Sequence, residues 1–366
     1  MDSLGGFDGT IAVVHEPCDS VGPVEKLRRQ EPDSPRGGGE PWPAAERFLG
    51  LSNTELGRVD PVVMNLAVAK GIPSLADLDI GRYVRLADQW AAEIGGYLPA
   101  CEANFYRHLE RFQNDLDFSH LAVIGWYVGN VLRIDYREDQ KNLKRVLYTD
   151  PSDLFLDGIM NTRRGTCGNM ALLWVVLGQR LGWPVSLACV GSHFICRYDD
   201  GGKVFNIETT QVDGGEWSSP PDRFYLQECE WRIPQRAVDC GSDLRALTRR
   251  EMLGAFFGAR ARHLENINRF NEAEPDYLVA RYLFPRNRQL YISQNQVSVQ
   301  NSMELFEPGE KGHPIELAHW LQEVVQVAPW LRKQPQQIIV PKPQEKRNDS
   351  RSVDAVLQAI YGGSAE

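Results

Sequence analysis

The sequence predicts an α+β chain, and three observations carry that reading. From about residue 45 onward, apolar residues recur at intervals of three and four, the spacing of amphipathic helices. After Pro184, three short runs rich in β-branched and aromatic residues follow one another across Gly- and Asp-containing turns, the pattern of an antiparallel meander. Helical spacing then returns from Asp243. At 366 residues the chain is long for one domain, and 42% apolar residues are enough for a sizeable core.

Taken in order, residues 1–45 are rich in Gly and Pro and read as a flexible arm, with the alternation of one edge strand at Thr10–His15. Residues 46–145 form a helical N-terminal region. Its expected helices are Ala44–Leu51, Pro61–Ala69, Arg82–Tyr97, Cys101–Asn114 and the almost wholly apolar Phe118–Ile134. A core region spans 146–235. It opens with a short helix at Leu154–Met160, capped by Ser152 or Asp153, and a polar loop at Asn161–Gly168. Asn169–Leu181 reads as a helix stopped by Gly182 and Pro184. The strands Val185–Val190, His193–Tyr198 and Lys203–Glu208 come next. Residues 240–292 carry two helical patterns, Asp243–Phe270 and Ala273–Leu283. Residues 293–366 are a tail with short helices at Pro314–Val327 and Val353–Tyr361 around a Pro/Gln-rich spacer.

Composition narrows the function classes. Forty Lys and Arg against 49 Asp and Glu give a net charge of −9, which argues against a nucleic-acid or anionic-membrane binder. No apolar run reaches the ~20 residues of a membrane-spanning helix, and the opening MDSLGGFDGT lacks the features of a signal peptide. Seven scattered cysteines (18, 101, 167, 189, 196, 229 and 240) fit a reducing, cytoplasmic location better than a disulfide scaffold.

One cysteine has the setting of a nucleophile. Cys167 lies between Gly165 and Gly168 at the junction of a loop and a helix, where free N–H groups and the helix dipole favour thiolate. A buried cysteine more often packs as a small hydrophobe, so its partners decide. Closing the hairpin over Asp199–Gly202 sets every cross-strand pair to a sum of 401. That register faces His193 directly with Glu208 on one side of the sheet. Cysteine, histidine and carboxylate then make a nucleophile, a base and an orienting group.

These residues resemble the transglutaminase-like superfamily. Gly165-Thr166-Cys167, Gly191-Ser192-His193-Phe194 and Phe205-Asn206-Ile207-Glu208-Thr209-Thr210 look like its three core motifs, in its order. The resemblance implies a papain-like core of helix plus antiparallel sheet, with Cys167 as nucleophile, His193 as base and Glu208 in the place usually held by Asp. Glu occurs there in a bacterial branch with a helical N-terminal region and TPR-like C-terminal helices. Here Asp60–Ala69 matches its opening helix, and Ala261, Leu264, Ala273, Tyr277, Ala280 and Pro285 fall at TPR positions. The implied activity is acyl transfer or hydrolysis at a peptide or glutamine amide, as a cysteine protease, amidase or acyltransferase. It needs no cofactor or metal, acts on a protein or peptide substrate, and leaves the TPR-like helices to engage a protein partner. The alternative is a non-catalytic interaction module on the same scaffold.

Around this set, strand alternation turns Cys196 away from His193, which disfavours zinc with Cys189. Arg197 is a candidate contact for an acidic or carbonyl group, with an exposed strand arginine the commoner explanation. Trp174, Trp183 and Trp217 are candidate pocket walls, although helical spacing favours a core position for Trp174. Asn161 and the Cys167 N–H are candidate oxyanion donors. Asn206 is placed on the opposite face from Glu208 and left out of the set.

Overall fold

The computed structural model describes residues 44–141, 146–210, 217–229 and 232–304. The expected strand at Thr10–His15 and the expected helices at Pro314–Val327 and Val353–Tyr361 lie outside these residues.

The N-terminal region is helical, as its spacing dictates: α1 (Glu46–Leu49), α2 (Asn53–Gly57), α3 (Pro61–Ala69), α4 (Ile80–Arg107) and α5 (Leu116–Trp126). Ser52 and Glu55 form a capping box on α2, and Asp60, with Pro61 behind it, caps α3. The two helices expected around Pro99 are one. α4 runs 28 residues through that proline, because Tyr83, Ala87, Trp90, Ile94, Cys101 and Phe105 keep a single buried stripe across it. The predicted Phe118–Ile134 helix ends earlier, as α5 closes in a π-turn at Tyr127–Val131.

β1 (Asp135–Tyr136) and the short α6 (Glu138–Lys141) follow. α7 (Leu156–Thr162) then leads through Arg163, in the left-handed region at φ 59°, into β2 (Arg164–Gly165). The expected loop from Asn161 is therefore partly helix and partly strand. β2 pairs in parallel with β1, which sets Tyr136 beside Gly165.

α8 (Met170–Arg180) is the central helix, buried from Met170 to Gly178. Against it lies the antiparallel sheet of β3 (Val185–Val190), β4 (His193–Asp199) and β5 (Val204–Ile207), in the order β3-β4-β5. Gly191, at φ 64°, is the first residue of the two-residue turn joining β3 to β4, where a positive φ is required.

A short α9 (Gln235–Asp239) leads to three longer helices: α10 (Arg249–Asn266), α11 (Phe270–Leu283) and α12 (Arg288–Glu304). α10 starts six residues later than its pattern suggests. The preceding segment instead lines up on β3, with Leu244 N–H donating to Cys189 O (2.9 Å) and Leu247 N–H to Leu187 O (2.8 Å). The Thr248–Glu251 capping box then opens the helix. Ala261, Leu264, Ala273, Tyr277 and Ala280 are buried between α10 and α11 or beneath them, while Pro285 is exposed.

Arg260, on α10, ties this helical layer to the N-terminal one. It forks onto both oxygens of buried Asp276 (2.6 Å each) and donates to Val68 O at the end of α3 (3.0 Å). One apolar core thus runs from α1 to α12 and encloses α8. No described helix is long and apolar enough to cross a membrane.

Candidate active site

Cys167 is fixed by a reciprocal cap just ahead of α8. Thr166 Oγ1 accepts from Gly168 N–H (3.0 Å), and Thr166 N–H donates to Asn169 Oδ1 (3.0 Å). Met170 N–H donates to Thr166 O (3.0 Å), so the first helical turn already begins at Thr166. The cap is itself anchored. Thr166 Oγ1 donates to Asp153 O (2.7 Å), and Asn169 Nδ2 donates to Ser152 O and Phe155 O (2.9 and 3.1 Å). Gly168 is demanded by this close approach, since a Cβ there would lie 2.8 Å from Asp153 O. In this setting Cys167 N–H donates to no described residue, as befits the first turn of a helix.

His193 opens β4 and Glu208 follows the last residue of β5. Their strands pair with a sum of 403, as in Asp199↔Val204 and Cys196↔Ile207, rather than the predicted 401. The physical reason lies in the turn. Gly201 takes the positive φ (87°), and Asp200 Oδ1 accepts from both Gly202 N–H and Lys203 N–H, so the loop is centred on Gly201-Gly202. A slip of two residues preserves which face each side chain points to. His193 therefore reaches Glu208 along a diagonal, Nε2 to Oε2 at 2.7 Å.

The three groups come together. The Cys167 thiol is hydrogen-bonded to His193, and with Nε2 engaged by Glu208, Nδ1 is the nitrogen left for sulfur. Glu208 Oε1 accepts from Thr210 N–H (3.0 Å) and Thr210 Oγ1–H (2.6 Å), which holds the carboxylate in place. Burial pushes the Cys167 thiol up, but His193 and the Tyr148 hydroxyl outweigh it and hold the thiol below its ordinary value. Burial pulls His193 down, but the Glu208 carboxylate and the sulfur raise it well above its ordinary range. Burial raises Glu208, and His193 with Thr210 more than reverse that. The balance favours a thiolate–imidazolium pair beside a carboxylate.

Tyr148 carries no sign in the sequence, because it sits in a polar loop without periodicity. Its hydroxyl lies 3.0 Å from Cys167 Sγ, and burial beside that sulfur holds the phenol protonated, so it is the donor. His263, on α10, donates from Nδ1 to the Tyr148 carbonyl (3.0 Å), joining the C-terminal helices to the site across 115 residues.

The remaining candidates lie elsewhere. Arg197 is buried and bonded to Asn206 Oδ1 (2.5 Å) and Asp222 (2.9 Å), so it has no free fork for substrate. Asn206, two residues before Glu208, shares its face but is held by Arg197, Asp222 and Pro220 O. Exposed Asn161 donates to the Tyr83 hydroxyl (2.7 Å) and does not line the site. Trp174 and Trp217 pack on each other in the core (5.4 Å), and Trp183 stacks on His120, so no tryptophan walls the cleft. Cys189 and Cys196 do not gather with His193, and no metal-holding cluster of His, Cys, Asp or Glu exists among the described residues.

A cleft of about 910 Å³ opens over Cys167, His193 and Glu208. Its lining includes Tyr136, Tyr148 and the Gly191-Ser192 turn together with residues of α10 and the start of α12. Residues 134–219, which contain all three groups, match the family model of the transglutaminase-like superfamily. This segment is a transglutaminase-like domain. Searches of curated proteins and of solved structures return no match. The transglutaminase-like domain thus reaches from the end of the N-terminal helices through β5, and the cleft wall built by α10–α12 lies outside the matched segment.

Proposed function

We propose that the chain is a transglutaminase-like thiol enzyme that cleaves or transfers an acyl group at a peptide or glutamine amide. The observation that carries this reading is the unbroken set of hydrogen bonds from Tyr148 to Cys167 to His193 to Glu208 in an open cleft.

The Cys167 thiolate attacks the amide carbon, and the carbonyl π pair moves to oxygen. The Cys167 N–H donates a hydrogen bond to that oxyanion. Collapse breaks the C–N bond, and His193, protonated in the resting pair, gives its proton to the departing amine or ammonia. Neutral His193 then takes a proton from water or from an incoming amine, which attacks the thioester and releases Cys167. Glu208 orients the imidazole and stabilises its charge throughout, and its extra methylene relative to Asp is accommodated by the diagonal reach across the sheet. In this reading α10, which the sequence likens to a TPR helix, and α12 serve to wall the substrate cleft.

The test is a peptide vinyl sulfone or a glutamine peptide offered to the intact chain, with mass spectrometry of the Cys167 peptide. A covalent adduct on Cys167, absent in the folded His193→Ala variant, is expected. A folded wild-type chain that forms no adduct with any amide or electrophile would leave only an interaction module.

A further inference from the structure

Twenty-seven residues line the cleft, and their charges are unequal. Among them Arg232 and Arg288 contribute two unpaired guanidinium groups, whereas the single carboxylate is Glu208, already committed to His193 and Thr210. Arg262 is already bonded to Glu265 (2.9 Å) and Ser293 Oγ (2.6 Å), so it builds the cleft wall and has no free fork. Arg232 and Arg288 are exposed and form no ion pair with any described residue. This cationic lining stands out on a chain whose net charge is −9. A cleft of about 910 Å³ exceeds what one amide side chain occupies, so an extended segment held over Cys167 lays its neighbouring residues among the arginines. Guanidinium forks match carboxylate and phosphate oxygens in pairs, and they disfavour lysine-bearing segments by charge.

We propose that the cleft selects peptide segments with anionic side chains flanking the target amide, recognised by Arg232 and Arg288. The inference rests on reading this cleft as the substrate site. It is separable from the chemistry because recognition can be measured without turnover.

Fluorescent peptides of equal length, each with a central glutamine, are titrated into the full-length Cys167→Ala chain. Their flanks carry Asp and Glu, phosphoserine, Ser, or Lys. The anionic peptides are expected to bind about tenfold tighter than the Ser peptide, with the Lys peptide weakest. Added salt should narrow the gap. Whichever of the Asp/Glu and phosphoserine peptides binds tighter identifies the anionic source. The double variant Arg232→Glu, Arg288→Glu changes two exposed side chains and should invert the order. Binding that ignores peptide charge, or no binding by any peptide, overturns the proposal. Charge-blind binding alongside normal acylation of the wild-type chain would remove the recognition and leave the thiol chemistry standing. Charge-selective binding with an inert Cys167 would do the reverse.

Discussion

Cys196, in the middle of β4, and Cys167, in the turn before α8, are both buried, at 0% and 9% exposure, yet their thiols behave in opposite ways. Burial alone acts on Cys196 and pushes its thiol far above the ordinary range. Cys189, on β3, shows the same response, with Asp243 adding to it. Cys167 pays the same desolvation cost but sits between an imidazole charged by Glu208 and a phenol O–H, and its thiol falls instead. The lesson is that a low dielectric amplifies whatever stands next to the sulfur. Without partners it makes a cysteine inert, and with a matched set it makes one reactive.

The largest effect on this comparison should come from His193→Ala. It leaves Cys167 buried but without its cation, and so makes it resemble Cys196. Burial then acts on the thiol with no imidazolium to oppose it, so iodoacetamide labelling of Cys167 at pH 7 should slow on the order of 100-fold. Peptide mapping with both strand cysteines as internal references reads this directly. Glu208→Gln comes next. It keeps an oxygen for Thr210 but removes the charge that holds His193 protonated, and a loss of about tenfold is expected in the same assay. Tyr148→Phe is the mildest. It deletes one hydrogen bond to sulfur, and labelling should slow by roughly a few-fold while the melting temperature stays near that of the wild type. If Tyr148→Phe outweighed His193→Ala, the ranking of partners drawn from the geometry would be wrong.

The two regions also differ in how far they could be read from sequence. Cys167, His193 and Glu208 each sit at a local signal: a Gly-flanked helix start, a strand opening after Gly191-Ser192, and a strand end. Their common face was legible from strand parity, which survives the two-residue error in register. The register itself was not, because Asp199-Asp200-Gly201-Gly202 accommodates more than one turn, and side-chain bonds from Asp200 choose between them. Tyr148 and His263 were beyond reach, since their meeting depends on α10 folding back over a loop 115 residues away in sequence. Arg197 misled for a related reason. Alternation gives its face, but only tertiary packing brings Asp222 to occupy it. The separate helices expected around Pro99 failed because burial of one continuous stripe outweighs the intrinsic cost of a helical proline.

The central claim is that the partners, not burial, set the state of Cys167. The most direct test is a pH titration of its thiolate, followed by ultraviolet absorbance or by the rate of alkylation, in the wild type and in His193→Ala. A lowered thiol keeps its negative charge down to a pH below the ordinary value and loses it only as pH falls through that lowered midpoint. The midpoint of reactivity should therefore lie below 9.0 in the wild type and move up in the variant. A wild-type midpoint at or above 9.0, unchanged when His193 is removed, would place Cys167 with Cys196 as a packed and inert thiol.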